Sequence, residues 1–188
     1  MNVDSQTDRA SYRNRGGLLQ RLVSSFKARR LTRTGGGVVI KHNVELWLTD
    51  NAVCELGENC TIQNYAFFQL TKPHPKVYIG NNAVIGRHCM ITCKNLIRLG
   101  DNVLIGGYVQ IIDHNHGFGV NDIIRNQPAE IGEVVIGNDV WIGAGAKILM
   151  NCHIGDGAII GANSVVTGDI PENAIAVGIP ARVIKYRE

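Results

Sequence analysis

The stretch that decides the fold is VVIGNDVWIGAGAKILMNCHIGDGAIIGANSVVTG, residues 134–168. Within it an aliphatic residue returns at every sixth position: Ile136, Ile142, Ile148, Ile154, Ile160 and Val166. Six is not a multiple of 3.6, so a helix would spread these residues around its whole circumference, whereas six is a multiple of the strand period of two. The pattern therefore excludes a helix over this stretch and predicts short strands.

Weaker copies of the repeat reach back to about residue 38. A single strand of about ninety residues would be roughly 300 Å long, so the chain must turn at regular intervals. Gly followed by Asn or Asp recurs after the aliphatic residue, and these residue types tolerate the left-handed backbone of a sharp corner. The sequence predicts a coil of short strands with every sixth residue inside.

The residue two positions before each aliphatic residue is expected to share its inward face. Small side chains dominate there, which suits a narrow interior: Val134, Val140, Ala146, Cys152, Ala158 and Ser164. Cys54, Cys60, Cys89 and Cys152 occupy this same position. Because no CxxC pair occurs, we expect reduced core thiols rather than a disulfide framework or a metal site.

The 188 residues and net charge of +3 suit one domain. No Asp or Glu occurs between Arg9 and Val44, and apolar residues recur at helical spacing within residues 18–26. Residues 1–37 are therefore predicted to contain a basic amphipathic helix, docked on the main domain or, alternatively, touching an acidic membrane surface. Nucleic acid binding is disfavoured because aromatic residues do not alternate with these charges.

No apolar run is long enough to cross a membrane, and the N-terminus lacks the apolar core of a secretory signal. The expected location is the cytoplasm, with the inner membrane surface as a second possibility through the N-terminal segment.

The repeat is interrupted once, between Ile111 and Val134. Residues 117–133 are predicted to form an extruded loop, and IIDHNHGFG, residues 111–119, places His114 and His116 at its root. Histidine is the side chain best suited to accept a hydroxyl proton near neutral pH. The remaining histidines fall on outward or turn positions and are expected at the surface: His42, His74, His88 and His153.

Residues 38–168 resemble the hexapeptide-repeat acyltransferases, and AIAVGIPARVIKYRE, residues 174–188, resembles the tail of the acetyl-CoA-dependent branch near galactoside and maltose acetyltransferases. The resemblance implies a left-handed parallel β-helix of six to seven coils over residues 38–173, closed by a tail over 174–188. It also implies acetyl-CoA as co-substrate, no metal, and a homotrimer with active sites between subunits. Loop 117–133, with Phe118, Ile123 and Ile124, is expected to reach the neighbouring subunit.

The resemblance also assigns roles to individual residues. An ungapped match through GDNVLIG, residues 100–106, places the catalytic histidine at His116, with His114 as a supporting or alternative base. Asp113 is expected to orient one imidazole. The oxyanion-binding amide falls on Ala144, and Trp141 would form a wall beside the histidine and the pantetheine chain. The positions implied for coenzyme A are Ala144, Ala162, Thr167, Gly168, Arg182 and Lys185.

The acceptor is expected to be a sugar hydroxyl, but not a simple galactoside. Gly86 and Lys94 stand where the galactoside enzymes carry an acceptor-binding Asn and Asp. DHNHG, residues 113–117, resembles O-acetyltransferases of surface polysaccharide pathways, so a polysaccharide precursor or a nucleotide- or lipid-linked sugar fits better. N-acetylation of a nucleotide-linked amino sugar remains an alternative, because both reactions use the same donor groove.

Two readings from other classes are weaker. A γ-type carbonic anhydrase shares the coil but needs two histidines five residues apart, whereas His114 and His116 are two apart and no histidine occurs at 119–121. A noncatalytic β-helix would leave the loop, the two histidines and the GIPAR tail without a purpose. Stabilisation by coenzyme A distinguishes the second reading from an acyltransferase.

Overall fold

The computed structural model describes residues 31–188, which form 22 strands and one 3-10 helix. The predicted N-terminal amphipathic helix lies outside the described residues. In chain order the strands are β1 Arg33–Thr34, β2 Val39–Ile40, β3 Glu45–Leu48, β4 Val53–Leu56, β5 Thr61–Ile62, β6 Phe67–Leu70, β7 Lys76–Ile79, β8 Val84–Ile85, β9 Met90–Cys93, β10 Leu96–Leu99, β11 Leu104–Ile105, β12 Gln110–Ile112, β13 His114–His116, β14 Ala129–Ile131, β15 Glu133–Ile136, β16 Trp141–Ile142, β17 Lys147–Ile148, β18 Cys152–Ile154, β19 Ile159–Ile160, β20 Val165–Val166, β21 Ala174–Gly178 and β22 Ala181–Tyr186.

The strands stack into three parallel sheets that form the faces of a prism. Sheet A contains β1, β4, β7, β10, β15 and β18; sheet B contains β2, β5, β8, β11, β16, β19, β21 and β22; sheet C contains β3, β6, β9, β12, β17 and β20. One strand from each sheet makes one coil, so the described chain has six complete coils, numbered 1 to 6 from the N-terminal end. The predicted parallel β-helix is confirmed.

The core runs along the inside of the prism. In sheet A, Leu99 pairs with Ile136, and Ile136 pairs with Ile154, so each aliphatic residue lies on its equivalent in the next coil. The smaller inward residues of coils 5 and 6 are also buried, including Ser164. Parallel pairing between coils satisfies the backbone of the strands in the inner coils, as expected for a solenoid.

All five cysteines are buried and unpaired, as the sequence predicts for four of them. Burial raises the pKa of the Cys54 thiol to about 12 and that of Cys89 to about 11. Thiols of this kind remain protonated near neutral pH, so a nucleophilic role is disfavoured.

As expected, the corners have left-handed residues of both types: Asn or Asp at most of them, and Gly37, Gly145 and Gly157 at three. In Ile79-Gly80-Asn81-Asn82 the left-handed residue is Asn82, with φ +57°, and the same position holds Asn102 in the next coil. Gly100 is needed for close stacking instead, because a Cβ there would lie 2.7 Å from the carbonyl carbon of Gly137 in the coil above. Asparagine tolerates the left-handed conformation, and glycine permits the approach of successive coils.

The single interruption leaves the prism as a hairpin. Strands β13 and β14 pair in antiparallel fashion, and the connecting residues contain the 3-10 helix Ile124–Asn126. The predicted extruded loop is therefore present, but it starts with a strand that carries both candidate histidines. The Gln127 side chain holds the loop together, since its Nε2 donates to the carbonyl oxygens of Gly119 and Asp122, both at 2.8 Å.

The C-terminal strand β22 folds back antiparallel on β21 and forms the last strand of sheet B. Arg187, just after it, donates to Asp139 Oδ2 at 3.0 Å and to the Gly157 carbonyl oxygen at 2.8 Å, which fixes the tail to the prism. Residues 31–188 contain no helix with the length and apolarity needed to span a membrane.

Candidate active site

His116 lies on β13 of the extruded hairpin, opposite Ala129 of β14, and its side chain is exposed. Within the described residues its imidazole makes no hydrogen bond. An exposed imidazole without a partner is available to a substrate hydroxyl, as the proposed role of a general base requires.

His114, two residues earlier on the same strand, has a different environment. Its Nδ1 lies 2.8 Å from Asp113 Oδ1, and its side chain is only 14% exposed. Asp113 was predicted to orient one of the two imidazoles, and in the structure its partner is His114. The bond fixes the orientation of this ring and places a proton on Nδ1.

Asp113 is fully buried at the corner where β12 ends. Its carboxylate accepts hydrogen bonds from the backbone N–H of Lys94 at 2.9 Å, from that of Asn95 at 2.8 Å, and from the Cys93 thiol at 3.2 Å. Burial by itself would raise the pKa of Asp113, but the bonds from His114, Asn95 and Lys94 outweigh it and hold the pKa below its usual value. Asp113 is therefore an ionised acceptor that anchors the hairpin to coil 3.

The corner between sheets B and C, here called the BC corner, presents unpaired amide groups. At the corner between sheets A and B, the N–H of the second residue after the aliphatic position is capped by an Asn or Asp of the next coil. These bonds run from Glu58 to Asn81, Asn81 to Asp101, Asp101 to Asn138 and Asn138 to Asp156, at 2.7–2.9 Å.

At the BC corner the equivalent residues of coils 3 to 6 are Arg87, Gly107, Ala144 and Ala162. Their N–H groups make no hydrogen bond within residues 31–188. Ala144 and Ala162 are also exposed. Because a polar backbone group needs a partner, this column of N–H donors suits a ligand with carbonyl or amide oxygens. These donors include both amides that the resemblance assigns to coenzyme A.

Trp141 lies on the outer face of sheet B, between Leu104 and Ile159 of the neighbouring strands, and is 53% exposed. Arg182 and Lys185 lie at the upper end of the same sheet, where they pair with Val177 and Ile175. Both cations are exposed and form no salt bridge in the described part of the chain. An apolar strip that ends in two cations suits a ligand with an apolar arm and phosphates.

Thr167 and Gly168 follow β20 at the corner between sheets C and A, here called the CA corner, two coils above Asp113. Thr167 is exposed, and a Cβ added to Gly168 would meet no atom within 4 Å. This position is therefore open to a ligand, and it lies on the same corner of the prism as the hairpin that carries His116.

One chain thus divides the predicted site into two groups. His116, His114, Asp113, Thr167 and Gly168 belong to the CA corner, whereas Ala144 and Ala162 lie at the BC corner and Trp141, Arg182 and Lys185 lie on sheet B. In coil 5 the two corners are separated by six residues, 145–150, or roughly 20 Å of extended chain. A single copy does not bring the base and the amide donors together.

One groove of the described residues, about 600 Å³, follows the outer face of sheet A and is lined in part by Glu55, Tyr78 and Arg98. None of the predicted site residues lines it. No cluster of three metal-ligating side chains occurs among residues 31–188, and His114 pairs with a carboxylate.

Sequence reasoning missed the unpaired BC-corner amides and the Cys93–Asn95 cradle of Asp113. For the amides, the residue types gave a signal. The residue at the same position in the next coil has no side chain that could accept a hydrogen bond, and this holds for Arg87, Gly107, Ala144 and Ala162. Cys93 differs from the other core thiols in two ways: it lies two residues after the aliphatic residue Ile91 rather than two before one, and its thiol donates to Asp113.

Comparisons with known proteins agree with this architecture. Residues 133–168 match the bacterial transferase hexapeptide model of six repeats. The putative lipopolysaccharide biosynthesis O-acetyl transferase WbbJ of Escherichia coli K12 is 35% identical over 117 residues, which cover 58% of this chain and 60% of that protein. Galactoside O-acetyltransferase of the same organism is 34% identical over 69% of this chain and 62% of its own length. The chain thus spans about three fifths of these relatives.

Solved structures extend the similarity to nearly the whole chain. A galactoside acetyltransferase in complex with coenzyme A aligns with a TM-score of 0.60 and 25% identity, over 98% of this chain and 84% of that one. AntD, an N-acyltransferase from Bacillus cereus, aligns with a TM-score of 0.75 over 87% of this chain, but at 23% identity it supports only the fold. These matches confirm the predicted resemblance: residues 133–168 carry the hexapeptide repeat, and the chain is similar to acetyltransferases of this type.

Proposed function

We propose that this protein is an acetyltransferase that moves the acetyl group of acetyl-CoA to a hydroxyl group of a sugar. The observation that carries the proposal is the column of unpaired N–H donors at the BC corner, which includes Ala144 and Ala162. At the equivalent A–B corner the protein caps such groups with its own side chains. The uncapped donors, the sheet B strip and its two cations fit the thioester, pantetheine and phosphates of acetyl-CoA.

In the proposed reaction, His116 takes the proton of the acceptor hydroxyl as its oxygen attacks the thioester carbon. The N–H of Ala144 stabilises the negative charge that develops on the carbonyl oxygen. The carbon–sulfur bond then breaks, and the thiolate of coenzyme A takes the proton back from His116. Atoms and charges balance without a metal ion or a covalent enzyme intermediate.

The proposed active species is a homotrimer. A threefold arrangement that sets the hairpin of one protomer against the BC corner of the next would unite the two groups of site residues. The hairpin offers an apolar surface for this contact, since Phe118 and Ile123 are each 68% exposed and Val120 is 96% exposed. A stable assembly would cover these side chains.

The proposed acceptor is a sugar in surface polysaccharide biosynthesis, linked to a nucleotide or a lipid. Similarity to a putative lipopolysaccharide O-acetyl transferase supports this choice, as does the absence of the acceptor-binding Asn and Asp at Gly86 and Lys94. We further propose a cytoplasmic location with the basic segment at the inner membrane surface. Unchanged activity and fractionation after deletion of the first 35 residues would count against that role.

The decisive assay measures thiol release from acetyl-CoA with a panel of sugars, nucleotide sugars and amino sugars. We expect transfer to at least one hydroxyl acceptor, and a fall in turnover of about a hundredfold or more for His116→Ala, in line with loss of a general base. Coenzyme A should still raise the melting temperature of this variant. Transfer only to amino sugars would favour N-acetylation, and absence of both transfer and coenzyme A stabilisation would refute the proposal.

A further inference from the structure

Three ring side chains form a column at the BC corner, here called the ring ladder: Tyr65 in coil 2, His88 in coil 3 and Tyr108 in coil 4. The centroids of neighbouring rings are 4.8 Å apart in both pairs, and the ring planes differ by 4° and 9°. This distance equals the spacing between stacked strands, so each ring lies on its equivalent in the coil below.

The ladder residues occupy backbone conformations that aromatic residues seldom adopt. Their φ angles are +63°, +55° and +62°, in the left-handed region that favours glycine and asparagine. At the A–B corner the same position holds Asn82 and Asn102 in coils 3 and 4. Bulky residues held at an unfavourable backbone position commonly mark a functional site.

The ladder ends where the next ring would lie. In coil 5 the equivalent residue is Gly145, whose N–H donates to the Gly107 carbonyl oxygen at 2.9 Å, just as that of Tyr108 donates to Arg87 at 2.8 Å. Gly145 has no side chain, so the upper face of Tyr108 is uncovered and the residue is 64% exposed. The following side chain in the column is Asn163, whose Oδ1 reaches down over Gly145 to the place that a Gly145 Cβ would occupy.

Beside the Asn163 amide this rung is open, because among residues 31–188 only His88 stacks on the Tyr108 ring, from below. It adjoins Ala144, the proposed oxyanion donor. The ladder extends from Ala144 toward coils 2 to 4, whereas Ala162, Arg182 and Lys185, proposed for coenzyme A, lie toward the C-terminal end. A ligand ring in the open rung would therefore lie on the acceptor side of the thioester.

We propose that the upper face of Tyr108 is an acceptor subsite on which the apolar C–H face of a pyranose ring stacks, in the rung left open by Gly145. This inference rests on the proposed function for its assignment to the acceptor. Stacking of a sugar ring on tyrosine combines apolar burial with polar groups that stay free at the ring edge. Exposed Arg87, on the coil below Tyr108, is available to those polar groups.

Two substitutions change the subsite in opposite ways. Tyr108→Ala removes the platform. Gly145→Asn fills the rung with a residue that tolerates a left-handed φ. Its Cβ displaces the flexible Asn163 amide, which can then lie on the new side chain as Asn102 lies on Asn82. Tyr65→Ala is the matched control, because it removes a ring from the far end of the ladder and leaves Tyr108 in place. Tyr108→Phe keeps the platform and tests the hydroxyl.

The test measures saturation-transfer NMR from the full-length protein, in the presence of coenzyme A, to methyl pyranosides of glucose, galactose, mannose, rhamnose and fucose. With the wild-type protein, Tyr65→Ala and Tyr108→Phe, at least one glycoside should receive saturation at its ring protons. The affinity of Tyr108→Ala and of Gly145→Asn for that glycoside should be about tenfold lower. Equal binding by all five proteins, or no binding by the wild type, would overturn the subsite.

The same proteins separate this inference from the proposed function. If the wild type transfers acetyl groups and the Michaelis constant for the acceptor is unchanged in Tyr108→Ala, the subsite is wrong and the function stands. If glycosides bind in a Tyr108-dependent manner but no acetyl transfer occurs, the function is wrong and the subsite stands. The Michaelis constant for acetyl-CoA should change less than twofold in Tyr108→Ala, because the ring lies on the acceptor side.

Discussion

Nδ1 of His114 lies 2.8 Å from Oδ1 of the fully buried Asp113, and this pair connects the root of the hairpin to the core of the prism. The carboxylate also accepts the two backbone N–H groups of Lys94 and Asn95, so three segments meet at one residue. His116 itself has no such support. The position of the proposed base therefore depends on Asp113 through the strand that both histidines share.

Asp113→Ala should lower the free energy of unfolding by about 3 kcal/mol, because it leaves several buried donors without an acceptor. The pKa of Asp113 is lowered in the folded state, so its contribution is present above the unfolded value and is lost as pH falls through the folded value. Urea unfolding of both proteins at neutral pH and in acid measures this. If the difference in unfolding free energy between the wild type and Asp113→Ala does not shrink in acid, Asp113 is not the ionised acceptor described here.

Glycine directly after the aliphatic residue should be required for stacking rather than for conformation. A Cβ at Gly100 would lie 2.7 Å from the backbone of Gly137, whereas one at Gly36 would meet no atom within 4 Å. We expect Gly100→Ala to destabilise the fold by about 2 kcal/mol through overpacking, and Gly36→Ala to leave it nearly unchanged. Equal melting temperatures for the two variants would show that coil spacing adapts easily.

Ala144→Pro tests the amide donor with little change to the corner. Ala146 N–H donates to the Gly143 carbonyl oxygen, and Gly145 has φ +73°, so Ala144 occupies the second position of a type II turn, where proline is favoured. The substitution removes only the N–H. We expect turnover to fall by about a hundredfold or more, as for other oxyanion donors.

The matched control for that substitution is Asn64→Pro, in the equivalent turn of coil 2, where Ala66 N–H donates to Gln63. Its turnover and its melting temperature should remain close to those of the wild type. If both proline variants lose activity equally, the effect comes from the turn and not from the Ala144 amide.

His153 bridges two coils at the surface, with Nε2 3.1 Å from Glu133 and Nδ1 3.2 Å from Asp169. The hydrogen bond with Glu133, and then that with Asp169, raises the pKa of His153. Its contribution to stability is therefore complete below the unfolded value of about 6.5 and is lost as pH rises through the folded value. The melting temperature of the wild type should exceed that of His153→Gln at about pH 6, and the difference should vanish in alkali. If the difference in melting temperature between the wild type and His153→Gln grows with pH, the stabilising role of protonated His153 is wrong.

The fold was predictable because its physical signal is repeated in each coil. A period of six separates inward from outward positions, and the inward ones of Ile136, Ile142 and Ile148 are buried as expected. The stacking role of the glycine that follows the aliphatic residue was not predicted, because the need for close approach appears only when one coil is stacked on another. The uncapped amides and the ring ladder were missed for the same reason, since neighbouring members of each set are 18 or more residues apart in the sequence.

The site residues were predicted from resemblance, without assigning each to a corner of the prism. That assignment depends on how the chain re-enters the coil after the hairpin, and the structure settles it through the pairing of β10 with β15. His116 and Ala144 are 28 residues apart and lie at different corners. The sequence named candidate residues, but only the coil register separates them into two halves of a site.

Subunit complementation tests this division most directly. His116→Ala and Ala144→Pro chains with different affinity tags are co-expressed, and mixed trimers are purified through both tags and assayed for transfer from acetyl-CoA. Each parent should be nearly inactive, whereas every mixed trimer has one site of three that combines an intact His116 of one protomer with an intact Ala144 of its neighbour, so about a third of wild-type turnover should return. Activity no greater than that of the parents would place the complete site within a single chain and contradict the account.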